Sequence, residues 1–71
     1  MAMHIKAARI NAGLTQAEVR ERLSERGYNT ALSTIVSWES ERTFPTVPIF
    51  KALCEIYSCE MNDIFVPETL T

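Results

Sequence analysis

His4 is the single histidine of the chain, and Cys54 and Cys59 are its only cysteines. One imidazole near the amino terminus, with no nucleophile placed to be activated by it, does not assemble a group-transfer site. There is no C-x-x-C pair, and one histidine cannot complete the tetrahedral donor set of a structural zinc. Two thiols are too few to staple a secreted fold. Both cysteines therefore read as small apolar core residues kept reduced in a cytoplasm. Glu18 with Glu21, and Glu39 with Glu41, resemble carboxylate pairs for acid–base work, but solvated helix faces account for them more simply. The expectation is a protein with no enzymatic activity, no metal, no cofactor and no small-molecule substrate.

The chemistry that remains is recognition, and it centres on "LSTIVSWESERTFP", Leu32 to Pro45. This stretch has the pattern of a short helix with a sharp exit, yet no lysine, arginine, asparagine or glutamine occurs between Thr30 and Glu41. Those are the side chains that read base edges by paired hydrogen bonds, each discriminating by about 1–3 kcal/mol. Serine and threonine hydroxyls contact bases with little discrimination, and Leu32 and Val36 offer methyl groups to thymine. Singly, exposed apolar residues need no explanation. Clustered with Tyr28 they would mark a protein contact.

Five short helices on one core are expected to position this segment. A chain of 71 residues makes one domain, since a second could not enclose its own core. We assign residues 1–66 to that domain and 67–71 to a short tail. Ile5, Ala8, Arg9 and Ala12 recur at helical spacing up to Gly13, which suits a left-handed helix stop. "TQAE", Thr15 to Glu18, is a capping box that starts helix 2, with Val19 and Leu23 on its inner face. That helix runs to about Arg26, ahead of Gly27. Ser33 is the expected N-cap of helix 3, with Ile35 and Trp38 turned inward. Thr46 and Pro48 open helix 4, whose Phe50, Leu53, Cys54 and Tyr57 form an apolar stripe. "EMNDIF" is read as the last short helix, dropping Met61, Ile64 and Phe65 onto the core.

Charge is divided unevenly. The net charge is −2, but residues 1–38 carry five cations against three anions, and residues 39–71 carry two against six. Only the first half has the basic excess that phosphate neutralisation requires. Arg20, Arg22 and Arg26 on helix 2 read more readily as a solvated stripe than as a phosphate comb. No apolar run approaches the length of a membrane span, and "MAMHIKAARI" lacks the unbroken apolar core of a signal peptide.

The combination of "GLTQAEV", "STIVSWE", a proline-bearing loop and "FKALCEIY…NDIF" resembles the Cro/CI-type (XRE-like) helix-turn-helix regulators of temperate phages and bacteria. The resemblance runs from Ile5 to Phe65 and needs no gap after Ser33. It implies an all-α, lambda-repressor-like DNA-binding domain with helices 2 and 3 as the reading pair. By the same resemblance, Gln16 sits against the DNA backbone and neighbouring side chains, and Ser33, Thr34 and Ser37 occupy outward positions of the recognition helix. Arg42 occupies a loop position that touches phosphate. Arg9 and Glu39 match a partly buried ion pair, for which a purely structural role is the simpler reading. Three features depart from the family pattern: an enlarged turn filled by "SERGYNTA", Arg20 in place of a small alanine, and the apolar, hydroxylic outer face of helix 3.

Two functions follow as expectations. In the first, a repressor binds double-stranded operator DNA through helix 3, as a homodimer on half-sites about 34 Å apart. Gln16, Arg26, Asn29, Thr30 and Arg42 would then hold the backbone. In the second, an antirepressor grips a cognate repressor protein through Arg26, Tyr28, Leu32 and Val36 on the helix 2–turn–helix 3 face. An acidic, partly apolar surface suits a basic protein better than phosphate.

Overall fold

The computed structural model of the protein describes residues 3–66; the expected tail, residues 67–71, lies outside the described residues. Four α-helices follow one another: α1 (Ile5–Asn11), α2 (Gln16–Glu25), α3 (Leu32–Glu39) and α4 (Val47–Ile56), then a single 3₁₀ turn, Met61–Asp63. The fold is all-α. The expected fifth helix is only this turn. Ser58 has a positive φ of 56°, which takes the chain out of helix, and Ile64 is already extended. Among the described residues, none of these helices is long and apolar enough to cross a membrane.

All four helices stop in the same way. The residue two beyond the last helical one is left-handed: Gly13 (φ 73°), Gly27 (φ 90°), Glu41 (φ 63°) and Ser58 (φ 56°). The next amide in each case turns back to a carbonyl of the last turn. Leu14 N donates to Arg9 O (3.2 Å), Tyr28 N to Leu23 O (2.9 Å), Arg42 N to Ser37 O (3.0 Å) and Cys59 N to Cys54 O (3.0 Å). This is the Schellman arrangement, which satisfies carbonyls that would otherwise lack partners. At Glu41 and Ser58 the conformation carries a side-chain penalty of about 1 kcal/mol that glycine avoids.

Helix starts are less uniform. At α2 the expected capping box is complete: Glu18 N donates to the Thr15 hydroxyl (3.1 Å) and Thr15 N to the Glu18 carboxylate (2.9 Å). At α3 the N-cap is Ala31, not Ser33. Ala31 is extended (ψ 150°), and its carbonyl already takes the amides of Thr34 and Ile35. Ser33 therefore falls inside the first turn. Thr46 does precede α4, but its hydroxyl makes no cap bond.

Ile5, Ala8, Val19, Leu23, Ile35, Trp38, Phe50, Leu53, Cys54, Tyr57 and Ile64 are all buried in one cluster. Cys59 is half-buried and packs against it; both thiols are free. Phe44 meets Phe50 edge-on, with ring centroids 5.0 Å apart. Met61 and Phe65, expected in this core, are exposed instead. Successive side chains alternate in the extended segment after the 3₁₀ turn, so Ile64 pointing inward sends Phe65 outward. That segment pairs with Met3: Met3 N donates to Asp63 O (2.8 Å) and Phe65 N to Met3 O (2.7 Å).

Candidate interaction face

The inward face of α3 fixes how its outward face is presented. Ile35 and Trp38 lie in the core, and Glu39 ends the helix in an ion pair with Arg9. Arg9 Nε donates to Glu39 Oε2 at 2.6 Å and Nη2 to Oε1 at 3.1 Å. Gln16 Nε2 adds a third bond to Oε1 at 3.0 Å, and Arg9 Nη1 donates to Leu14 O at 2.9 Å. Side-chain exposure is 13% for Arg9 and 4% for Glu39. These bonds to Glu39 push the Arg9 pKa above its ordinary value, against the opposing effect of burial. A two-toothed, charge-assisted contact of this kind fixes orientation as well as energy. It ties α1, α2 and α3 together at one point.

Gln16 is consequently half-buried and spent on Glu39. Its amide meets a neighbouring side chain, one of the two kinds of contact that the family resemblance implies for it.

Outward, α3 exposes Leu32 (36%) and Val36 (46%), four residues apart and therefore on one face. Ser33 and Thr34 are exposed beside them, and Ser37 is half-buried. The Ser37 carbonyl receives the Arg42 amide and the Ser40 hydroxyl. Ala31 supplies no side-chain cap and the first turn contains no acid, so the amino end of α3 keeps its positive partial charge unneutralised. Arg42, just past the helix, is exposed and forms no ion pair among the described residues.

The long connection between α2 and α3, residues 26–31, divides the remaining expected site residues between two places. Arg26 and Tyr28 turn towards α4. There Arg26 Nη1 pairs with Glu55 Oε1 at 2.7 Å, and the two line a depression with Pro48 and Lys51. Asn29 and Thr30 turn the other way. With Ala17, Arg20, Glu21 and Ser24 they line a concavity of about 400 Å³ beside the start of α3. The Ser24 hydroxyl lies 3.5 Å from Asn29 Oδ1. By sequence Arg20 belongs to a solvated stripe and stands where the family pattern has a small alanine; in the fold it lines one wall of the concavity. The one available signal was its coincidence with an enlarged turn.

His4, read from sequence only as a lone imidazole near the amino terminus, has partners in the fold. Its imidazole contacts the Glu41 carboxylate and tilts against Phe65, with ring centroids 5.0 Å apart. No protein-family model matches the chain, and neither a curated protein nor a solved structure matches it.

Proposed function

We propose that this chain is a small helix-turn-helix transcriptional regulator of the Cro/CI type, a repressor that binds operator DNA through α3. The reading rests on one observation above others. A short helix, clamped at its carboxyl end by Arg9, Gln16 and Glu39, presents exposed Ser33 and Thr34 next to an amino end with no side-chain cap and no acid in its first turn. Hydroxyls, backbone amides and the methyls of Leu32 and Val36 would contact base edges and phosphate in the major groove. Arg42 and Arg20, both without ion-pair partners among the described residues, would supply charge on either side. Arg26 and Gln16 contribute less than their residue types promise, because each already has an internal partner. In this reading two copies bind half-sites one turn, about 34 Å, apart.

A mobility shift with the promoter DNA flanking the gene tests this. The expected result is a retarded band whose affinity falls steeply as salt rises, because each phosphate contact releases counterions. No shift at micromolar protein, or a flat salt dependence, overturns it.

The exposure of Leu32 and Val36 on one helix face favours a second reading, an antirepressor that binds a cognate repressor protein. In that case Leu32→Asp and Val36→Asp each abolish co-purification with the repressor while leaving the fold intact by circular dichroism. Unchanged capture by both variants would sink it.

A further inference from the structure

The concavity between α2 and the start of α3 has walls that suit an anion. Arg20 contributes a guanidinium with no ion pair or hydrogen bond among the described residues. Thr30 contributes a hydroxyl. Asn29 directs its carbonyl oxygen at Ser24, which leaves both amide protons of its Nδ2 unspent. Only Glu21, on the same rim, opposes them. Immediately beyond Thr30 the amino end of α3, which has no side-chain cap, adds partial positive charge. The depression beside α4 differs: its arginine, Arg26, is paired with Glu55.

We infer that this concavity seats a backbone phosphate of the bound duplex, with Arg20 as the charged contact and Asn29 and Thr30 as its neutral donors. The proposal rests on the DNA-binding reading and gives the longer α2–α3 connection a purpose. Residues 26–31 hold Asn29 and Thr30 across from Arg20, with an open concavity between them. Such a contact positions the protein on DNA without reading sequence.

The test measures affinity of the full chain for a promoter duplex and a scrambled duplex of equal length, over a range of salt. Arg20→Ala weakens both duplexes by the same factor, and its log–log salt slope is shallower by about 0.9, the increment for one phosphate on B-DNA. A tenfold rise in salt then costs the native protein roughly eightfold more affinity than the variant. Arg20→Lys keeps the slope, because a point charge suffices for phosphate. Glu21→Gln tightens binding to both duplexes, because it removes a negative charge facing the phosphate. Arg20 is exposed, and a thermal melt of each variant confirms that the fold is retained. An unchanged slope for Arg20→Ala in a protein that does bind DNA overturns the phosphate seat alone. Weakening confined to the promoter duplex also overturns it, since Arg20 would then be reading bases. Failure of the native protein to bind either duplex overturns the DNA reading and the seat together.

Discussion

Two arginine–glutamate pairs of nearly equal length sit in this small domain, and they differ in almost everything else. Arg9–Glu39 closes at 2.6 Å with side-chain exposures of 13% and 4%; Arg26–Glu55 closes at 2.7 Å with 41% and 53%. The first is also bonded to Gln16 and to the Leu14 carbonyl, and joins three helices. The second bridges the end of α2 to α4 through water-accessible side chains. Distance alone therefore says little about what a pair does. Burial decides, since removing one partner strands a charge that water reaches only in part, whereas a surface pair is replaced by solvent.

The sharpest way to break this contrast is Glu39→Ala. It should destabilise the domain by about 3 kcal/mol, the low end of the cost of breaking a buried pair, because Arg9 keeps its bond to the Leu14 carbonyl and some contact with solvent. Urea unfolding measures it, and a change below about 1 kcal/mol would put the two pairs in the same class. Next in size is Tyr57→Phe. The Tyr57 hydroxyl is buried without a hydrogen-bond partner among the described residues. Burial first, then the neighbouring Glu39 carboxylate, pushes its pKa above the ordinary tyrosine range. Removing the hydroxyl should stabilise the protein by about 1 kcal/mol. A loss of stability in the same unfolding experiment would show that the hydroxyl has a partner after all. Arg26→Ala should cost under about 1 kcal/mol, with the small difference shrinking further in salt. The smallest effect concerns acid. Glu18 lies below its ordinary pKa of 4.5, first through its bond from the Thr15 amide and then through the Thr15 hydroxyl. A carboxylate depressed in the folded state stabilises fully above that ordinary value and loses its contribution as pH falls through the lower folded value. Glu18→Gln should therefore cost a little stability at neutral pH, and the difference from the native protein should close as pH falls below 4.5, leaving the variant with a flatter acid limb. An unaltered limb would deny the cap its ionic part.

Features written within one helical turn were legible in the sequence. The Thr15–Glu18 box, the stops at Gly13 and Gly27, and the inward faces carrying Val19, Leu23, Ile35, Phe50 and Leu53 all follow from spacing. Features that depend on distant chain were not. Gln16 looks like a free donor until Glu39, 23 residues away, is seen to hold it. Arg26 looks like a free cation until Glu55, 29 residues away, neutralises it. Met61 and Phe65 were placed in the core because they sit beside Ile64. An isolated pairing with Met3 instead sets which side of the extended chain faces inward. The start of α3 escaped because Ala31 caps through its backbone geometry, which residue type does not advertise. In the candidate site, the outward set on α3 was legible, and the concavity was not, because it exists only once the α2–α3 connection is folded.

The four matching helix ends have a consequence for how fast this chain finds its fold. Each stop is sealed by a bond spanning five residues, so the length of every helix is decided locally, before any distant contact forms. Domains dominated by such short-range closures cross their folding barrier in about microseconds to milliseconds. The buried Arg9–Glu39 clasp, 30 residues apart in sequence, belongs to the late part of that process, and a variant lacking it should mainly unfold faster rather than fold more slowly.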